Sequence, residues 1–135
     1  MRLLLDTNVV LDILLERAGF CDEALDMMEK AISKSDRLFL SSSAATDIYY
    51  IVRKNTKDKD KALSCIKAIS SVLTFAEVNE TSILSATLSK VEDYEDAVVD
   101  MVAKSVNADY IITRDTKHFK HSHIKAITPK DYLLI

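Results

Sequence analysis

Acidic side chains interrupt or follow apolar segments repeatedly along this 135-residue chain. Asp6 comes directly after three leucines, and Asp115 comes soon after the run Tyr-Ile-Ile-Thr. Asp47 and Asp96 lie in segments whose apolar residues have helical spacing. Carboxylate oxygens suit hard cations such as Mg²⁺ or Mn²⁺, and such a cation lowers the pKa of a bound water and neutralises charge on a phosphate. If the carboxylates converge, they therefore predict metal-assisted phosphoryl chemistry.

Each of these acids also has an ordinary structural interpretation. Asp6 and Asp115 stand where a turn residue or a helix N-cap is common, and Asp47 could be a solvent-facing helix residue. Asp96 lies three residues after Asp93, in a first helical turn where acids suit the helix dipole and a capping box. None of these interpretations explains why the pattern repeats. The neighbouring acids that could take the place of Asp96 are Glu95 and Asp100.

The elements that would position these acids follow from hydrophobic periodicity. Short apolar runs predict strands over residues 3–5, 37–40, 75–78, 110–113 and 124–127. Helical spacing predicts helices after Asn8, over 22–33, from the serines 41–43 to about Lys54, over 58–73, from 79 or 81 through about 88, over 94–106, and in a last turn at Thr128-Pro129. Strands alternating with helices, without hairpin signals, indicate a parallel sheet in a three-layer α/β/α sandwich. Ligands collect at the carboxyl ends of such strands.

Composition predicts an ordinary globular protein with a single domain spanning residues 1–135. The chain is 48% hydrophobic and 29% charged, and its length suffices to bury a core without disulfides. Cys21 and Cys65 form no metal-ligand pattern, which predicts reduced thiols in a cytoplasmic protein. No apolar run is long enough to span a bilayer, so no membrane association is expected.

Basic residues are the candidates for binding a phosphate backbone. The net charge of −3 argues against a protein that wraps nucleic acid by positive charge alone, and basic clusters are more often solvated faces. Arg114 is the best placed because it adjoins Asp115. The other candidates for phosphate contacts are Arg53, Lys54 and Lys117. No Ser–His–Asp or Cys–His arrangement is apparent, so a protein nucleophile is not predicted.

Three segments carry a resemblance to a known family. They are LLLDTNVVLD at the start, SSSAATDIYYIVRK in the middle and DYEDAVVDMVAKSVNADYIITRDTKHF late in the chain. Together they resemble the PIN domain family, in particular the branch of ribonuclease toxins from VapBC-type toxin–antitoxin pairs. The resemblance spans essentially the whole chain in the family's order. It implies a Rossmann-like fold and metal-dependent cleavage of RNA phosphodiester bonds.

The resemblance also implies roles for particular residues. Asp6, Asp47, Asp96 and Asp115 match the acidic catalytic positions, and Asp6, Asp96 and Asp115 would hold one or two Mg²⁺ or Mn²⁺ ions. Much of the family has Glu where this chain has Asp47, which leaves open whether Asp47 binds the metal directly or through water. The polar positions around the acids, which could orient carboxylates or water, are matched by Asn8 and Thr113.

The resemblance also bears on the partners of the protein, and it leaves rival functions to be considered. The resemblance implies an RNA substrate, a small antitoxin protein and a homodimer. One rival is a PIN-like module that binds RNA or protein through an incomplete acidic site, and another is an RNA-processing nuclease outside toxin–antitoxin systems. A haloacid-dehalogenase-type phosphatase would need a second Asp two residues after Asp6, where this chain has Asn8.

Overall fold

Strands and helices alternate along the chain in the computed structural model, which describes residues 1–135. The strands are β1 (Arg2–Leu5), β2 (Arg37–Ser41), β3 (Thr74–Ala76), β4 (Tyr110–Ile112) and β5 (Ala126–Ile127). The helices are α1 (Thr7–Leu14), α2 (Cys21–Ser33), α3 (Ala44–Thr56), α4 (Lys59–Val72), α5 (Glu80–Ala86), α6 (Tyr94–Ser105) and α7 (Pro129–Leu133). A 3₁₀ helix, Thr116–Phe119, follows β4.

All strand pairs are parallel, and the sheet order is β3-β2-β1-β4-β5. The chain builds the sheet outward from β1 through β2 to β3, and then crosses back to place β4 on the other side of β1. The strand order therefore reverses beside β1. In open parallel sheets the carboxyl ends of the two strands at such a reversal form a crevice that binds ligands.

Both faces of the sheet are buried, as the continuous apolar runs predict. Leu3 and Leu5 contribute to a core shared with α1 to α4 and α7, whereas Leu4 points to the opposite side and joins a core shared with α5 and α6. The same alternation places Leu38 in the first core and Phe39 in the second. The three-layer α/β/α architecture expected from the sequence is thus confirmed.

Three predicted elements extend two residues too far. β3 ends at Ala76 rather than at residue 78, because only its residues 74–76 pair with β2. β5 begins at Ala126 rather than at residue 124, because a side chain, that of Asp100, binds the backbone N–H group of Ile124. Helix α5 ends at Ala86 rather than near residue 88, because the chain leaves the helix in a turn in which the backbone N–H groups of Thr87 and Leu88 donate to the carbonyl groups of Leu84 and Ser85.

Two further features bear on the class of protein. Cys21 and Cys65 are free and partly buried, as expected for reduced thiols. None of the helices combines the length and the apolar character that crossing a lipid bilayer requires.

Candidate functional site

A cavity of about 430 Å³ opens at the carboxyl edge of the sheet. Its lining includes all four predicted catalytic acids, Asp6, Asp47, Asp96 and Asp115, together with Asn8. Asp6 follows β1 and Asp115 lies just after β4, while Asp47 and Asp96 come from the first turns of α3 and α6. Two more acids, Asp93 and Glu95, also line this acidic cavity, and no Lys or Arg does.

Asp6 is held by the neighbouring strand rather than by the helix that it precedes. Its backbone N–H group donates to Ile112 (2.8 Å), and its carboxylate Oδ2 accepts a hydrogen bond from the Thr113 hydroxyl (2.9 Å). Asp6 occupies the N-cap position of α1, as one interpretation of the sequence has it, but its side chain makes no cap hydrogen bond to the helix. Asp6 is only 9% exposed, and burial raises its pKa against the lowering effect of the Thr113 hydrogen bond.

Thr113 joins the two strand ends of the site. It is fully buried. Its hydroxyl donates to Asp6 and at the same time accepts a hydrogen bond from the backbone N–H group of Asp115 (3.1 Å). The residue predicted to orient a carboxylate therefore touches the carboxylate of Asp6 directly.

Asp96 has a buried carboxylate oxygen without a hydrogen-bond partner. Its side chain is 14% exposed, and the one basic atom within 4 Å is His118 Nδ1, 3.7 Å from Oδ2. Burial, and next the charge of Asp6, raise the pKa of Asp96 to about 6. Asp93 caps α6 alone, by accepting from the Glu95 N–H group (3.0 Å). Asp96 is therefore not part of a capping box, and its Oδ2 atom accepts no hydrogen bond from the protein.

The outer wall of the cavity carries further negative charge. Asp47 and Asp115 are exposed, and burial together with the charge of Asp47 raises the pKa of Glu95. The charge of Asp115 likewise contributes to the raised pKa of Asp6. These carboxylates repel one another, and no Lys or Arg of the cavity lining offsets that repulsion.

The chemistry of the cavity fits a hydrated divalent cation. Its donors are oxygens, and the unpartnered Oδ2 of Asp96 beside Asp6 is a position where a cation would relieve both desolvation and repulsion. However, no three Asp, Glu, His or Cys side chains lie close enough to surround one ion. A sphere already formed by Asp6, Asp96 and Asp115 is therefore absent. Mg²⁺ commonly uses one or two carboxylates and completes its octahedron with water, which this arrangement allows.

Arg114 lies outside the acidic cavity, in an internal ion pair with Asp12. Its Nε and Nη2 atoms contact the two carboxylate oxygens of Asp12 at 2.8 Å and 3.2 Å. Asp12 is 1% exposed and also contacts Arg17 (3.3 Å). The guanidinium group stacks over the Phe20 ring at 4.1 Å. A phosphate would have to compete with a buried carboxylate for Arg114, so a phosphate contact there stays only a prediction.

Sequence reasoning missed the part that Asp12 plays. Asp12 lies 102 residues before Arg114, and no local pattern links them. The one signal is its position in α1 immediately after Leu11, a buried stretch of the helix where an acid needs a cationic partner.

The other predicted phosphate contacts lie apart from the acids. Arg53 and Lys54 are exposed on the last turns of α3, where Arg53 donates to the Tyr49 hydroxyl (3.2 Å), and neither lines the acidic cavity. Lys117 lines a second cavity of about 440 Å³. Asp100, the alternative to Asp96, is fully buried and accepts from the backbone N–H groups of His123 and Ile124. Asp100 therefore anchors a loop and takes no part in the cavity.

These features define a parallel α/β/α protein with a carboxylate-lined cavity where the strand order reverses. A sequence model of the PIN domain matches residues 2–117, and the chain belongs to the PIN domain family. No curated protein sequence gives a significant match.

Solved structures support the fold. VapBC2 from Rickettsia felis, bound to a DNA fragment from its promoter, matches with a TM-score of 0.75 and 18% identity over 95% of this chain and 98% of that chain. VapBC from Salmonella typhimurium, also bound to DNA, matches with a TM-score of 0.72 and 15% identity, over 96% of this chain and 98% of that chain. VapBC-1 from nontypeable Haemophilus influenzae matches with a TM-score of 0.71 and 17% identity, over 96% of this chain and 99% of that chain. At these identities the likeness concerns the fold alone.

Proposed function

We propose that this chain is a divalent-metal-dependent endoribonuclease and the toxin of a toxin–antitoxin pair. The observation that carries the proposal is the unpartnered, buried Oδ2 of Asp96 beside Asp6 in a cavity lined by acids. Membership of the PIN domain family and similarity to chains of VapBC complexes support the same function.

The charge of the cavity supports a metal-dependent mechanism. Asp6 and Asp96 would hold Mg²⁺ or Mn²⁺, with Asp115 and Asp47 contributing directly or through water. When bound, the cation supplies an activated water and neutralises negative charge on the phosphate. Without it, the carboxylates would repel an incoming phosphodiester, because the cavity lining provides no Lys or Arg.

The chain's own residues orient the reacting groups. Thr113 fixes the Asp6 carboxylate through the 2.9 Å hydrogen bond and is itself immobilised in the core. Asn8 lines the same cavity in the first turn of α1, where its amide can hold a water or a phosphate oxygen. His118 lies beside Asp96 and lines the same cavity.

RNA cleavage with matched variants tests the activity. Purified protein is incubated with single-stranded and structured RNAs in Mg²⁺, in Mn²⁺ or in excess chelator. We expect cleavage with either metal, none with chelator, and a loss of at least about 100-fold in Asp6→Asn and Asp96→Asn. Asp26→Asn removes an exposed acid of α2 and should cleave like the parent protein. Cleavage that survives the chelator or both site variants would overturn the proposal.

A PIN-like binding module is the second candidate, and the absence of three ligands around one point favours it. Melting curves with and without Mn²⁺ separate the two functions independently of activity. A nuclease site should be stabilised by Mn²⁺, and the stabilisation should disappear in Asp6→Asn but persist in Asp26→Asn. An unchanged melting temperature in the parent protein would favour the module.

The proposal includes an antitoxin and a homodimer as partners. Growth arrest on expression, relieved by co-expression of a small protein encoded beside the gene, would identify a toxin rather than an RNA-processing nuclease. Light scattering tests the dimer, which should have twice the 15.2 kDa mass of the chain.

A further inference from the structure

We propose that the RNA strand leaves the acidic cavity past His118 and enters the second cavity, where Lys117, Lys120 and His121 bind the phosphates next to the cleaved one. This inference rests on the proposed ribonuclease function and deepens it by assigning the path of the substrate backbone. The second cavity is called the basic cavity below, after Lys117, Lys120 and His121 in its lining.

The two cavities share part of their lining. Asp93, Asp96 and His118 line both of them, and the basic cavity adds about 440 Å³ to the space at this edge of the sheet. None of the residues that line it is hydrophobic. A linear, charged substrate bound at Asp96 would therefore meet a polar channel on this side rather than a closed wall.

The walls of the basic cavity differ in charge. The start of α6 and the two residues before it contribute three acids. Glu92 lines the cavity, Asp93 caps the helix, and Asp96 is the proposed metal ligand. The 3₁₀ helix and the turn after it contribute Lys117, Lys120 and His121. The lining thus combines basic side chains from one segment with acids from another, which include the proposed metal ligand Asp96.

These basic side chains have no partner within the protein. Lys117, Lys120 and His121 are exposed and make no ion pair or side-chain hydrogen bond. Arg114 differs, because the buried carboxylate of Asp12 engages its guanidinium group. Free ammonium groups beside the catalytic cavity can bind phosphate oxygens without breaking an internal contact.

The segment that carries them is anchored to the core. Phe119, between the basic residues, is 3% exposed and packs into the core of the α5 and α6 side. The Ser122 hydroxyl donates to the Phe119 carbonyl group (2.6 Å), and Asp100 binds the N–H groups of His123 and Ile124. Because the middle and the carboxyl end of this segment are fixed, little ordering of its backbone is needed when a phosphate binds.

Salt-dependent binding tests this path. The affinity for a fluorescent single-stranded RNA is measured by anisotropy in Ca²⁺, with gels to verify that the RNA stays intact, for the parent protein and for Lys117→Gln/Lys120→Gln. We expect about tenfold weaker binding in the variant at low salt. The slope of log Kd against log salt should fall by about 1.4, because each lysine releases about 0.7 counterions from a single strand.

Lys67→Gln/Lys125→Gln is the matched control, since it removes the same charge from exposed positions outside both cavities. Control and test variants should have the parent melting temperature. In cleavage assays the test variant should raise KM more than it lowers kcat. If it keeps the control's affinity and salt slope while the parent protein cleaves RNA, the path is wrong and the ribonuclease stands. If the parent protein neither binds nor cleaves RNA, both proposals fail.

Discussion

Asp96 carries a charge that the rest of the protein does not neutralise. Its Oδ2 is buried and has no hydrogen-bond partner, and the one basic atom within 4 Å is Nδ1 of the exposed His118, at 3.7 Å. Functional sites often retain such destabilising groups, because the function requires them and the remaining fold supplies the stability. This view of Asp96 makes a prediction about stability that does not depend on any activity assay.

Asp96→Asn should stabilise the metal-free protein at pH 7.5. The pKa of Asp96 is raised to about 6 by burial and by Asp6, so the folded state binds a proton more tightly than the unfolded state does. Stability of the parent protein should then fall as the pH rises from 5 to 7.5. Removing the charge should recover about 1 kcal/mol, or roughly 3 °C in melting temperature.

The measurement is a series of melting curves in chelator across that pH range. Asp26→Asn, at an exposed acid of α2, serves as the control and should follow the parent protein. A parent melting temperature that does not change between pH 5 and 7.5, or a destabilised Asp96→Asn at the upper pH, would show that Asp96 is better accommodated than its surroundings indicate.

Thr113→Val tests the residue that joins the strand ends. The substitution keeps the shape but removes the hydrogen bonds to Asp6 and from Asp115. We expect a loss of about 1–2 kcal/mol in the free energy of unfolding, and a larger proportional loss of Mn²⁺ affinity and cleavage rate. Denaturant unfolding and Mn²⁺ titration measure both. Thr87→Val, which removes an exposed hydroxyl bond, should change neither, and normal Mn²⁺ affinity in Thr113→Val would remove its orienting role.

Sequence reasoning at the residue scale found the acids but not their partners. Asp6 and Asp115 could be predicted as site residues because each follows an apolar strand, and the carboxyl ends of parallel strands share one edge of the sheet. The pairing of Asp12 with Arg114 was not visible, since it depends on how α1 packs beside the end of β4. The sequence also could not show that no three ligands converge on one point, because side-chain rotamers determine the distances between the carboxylates.

Among the elements, the succession of strands and helices along the chain was predictable from the sequence. The ends of the edge strands were not. Central strands such as β1 are continuous apolar runs that pair on both sides, so their position follows from hydrophobicity. β3 and β5 are edge strands, and each pairs with a single neighbour over two or three residues. Their ends depend on local competition, as where Asp100 takes the N–H group of Ile124.

Tyr132→Phe tests how the short helix α7 is docked. Tyr132 is fully buried, and its hydroxyl donates to the carboxylate of Asp36, just before β2. Removing the hydroxyl leaves that carboxylate with one hydrogen-bond donor fewer, so the free energy of unfolding should fall by about 1–3 kcal/mol. Denaturant unfolding measures the change. Tyr94→Phe loses a hydroxyl bond at an exposed residue and should change stability by less than about 0.5 kcal/mol.

Over the whole molecule, the site depends on keeping the ends of β1 and β4 together. The strand order brings them side by side, and three contacts then join the segments that leave the two strands. These are the Asp6 backbone bond to Ile112, the Thr113 bond to Asp6, and the pairing of Arg114 with Asp12 on α1. The last contact stabilises the site without lining the acidic cavity, which gives Arg114 a structural role that competes with binding phosphate.

Variants at Asp12 and Arg114 distinguish these roles. If Arg114 mainly neutralises Asp12, Arg114→Gln should lower the free energy of unfolding by about 3 kcal/mol, because it leaves a buried carboxylate with only the partly exposed Arg17. Asp12→Asn/Arg114→Gln should then be more stable than the sum of the single changes allows, since the double variant contains no uncompensated buried charge. Denaturant unfolding of the four proteins gives this coupling. If Arg114 mainly binds RNA, Arg114→Gln should instead raise KM with an unchanged unfolding free energy, and the double variant should be additive.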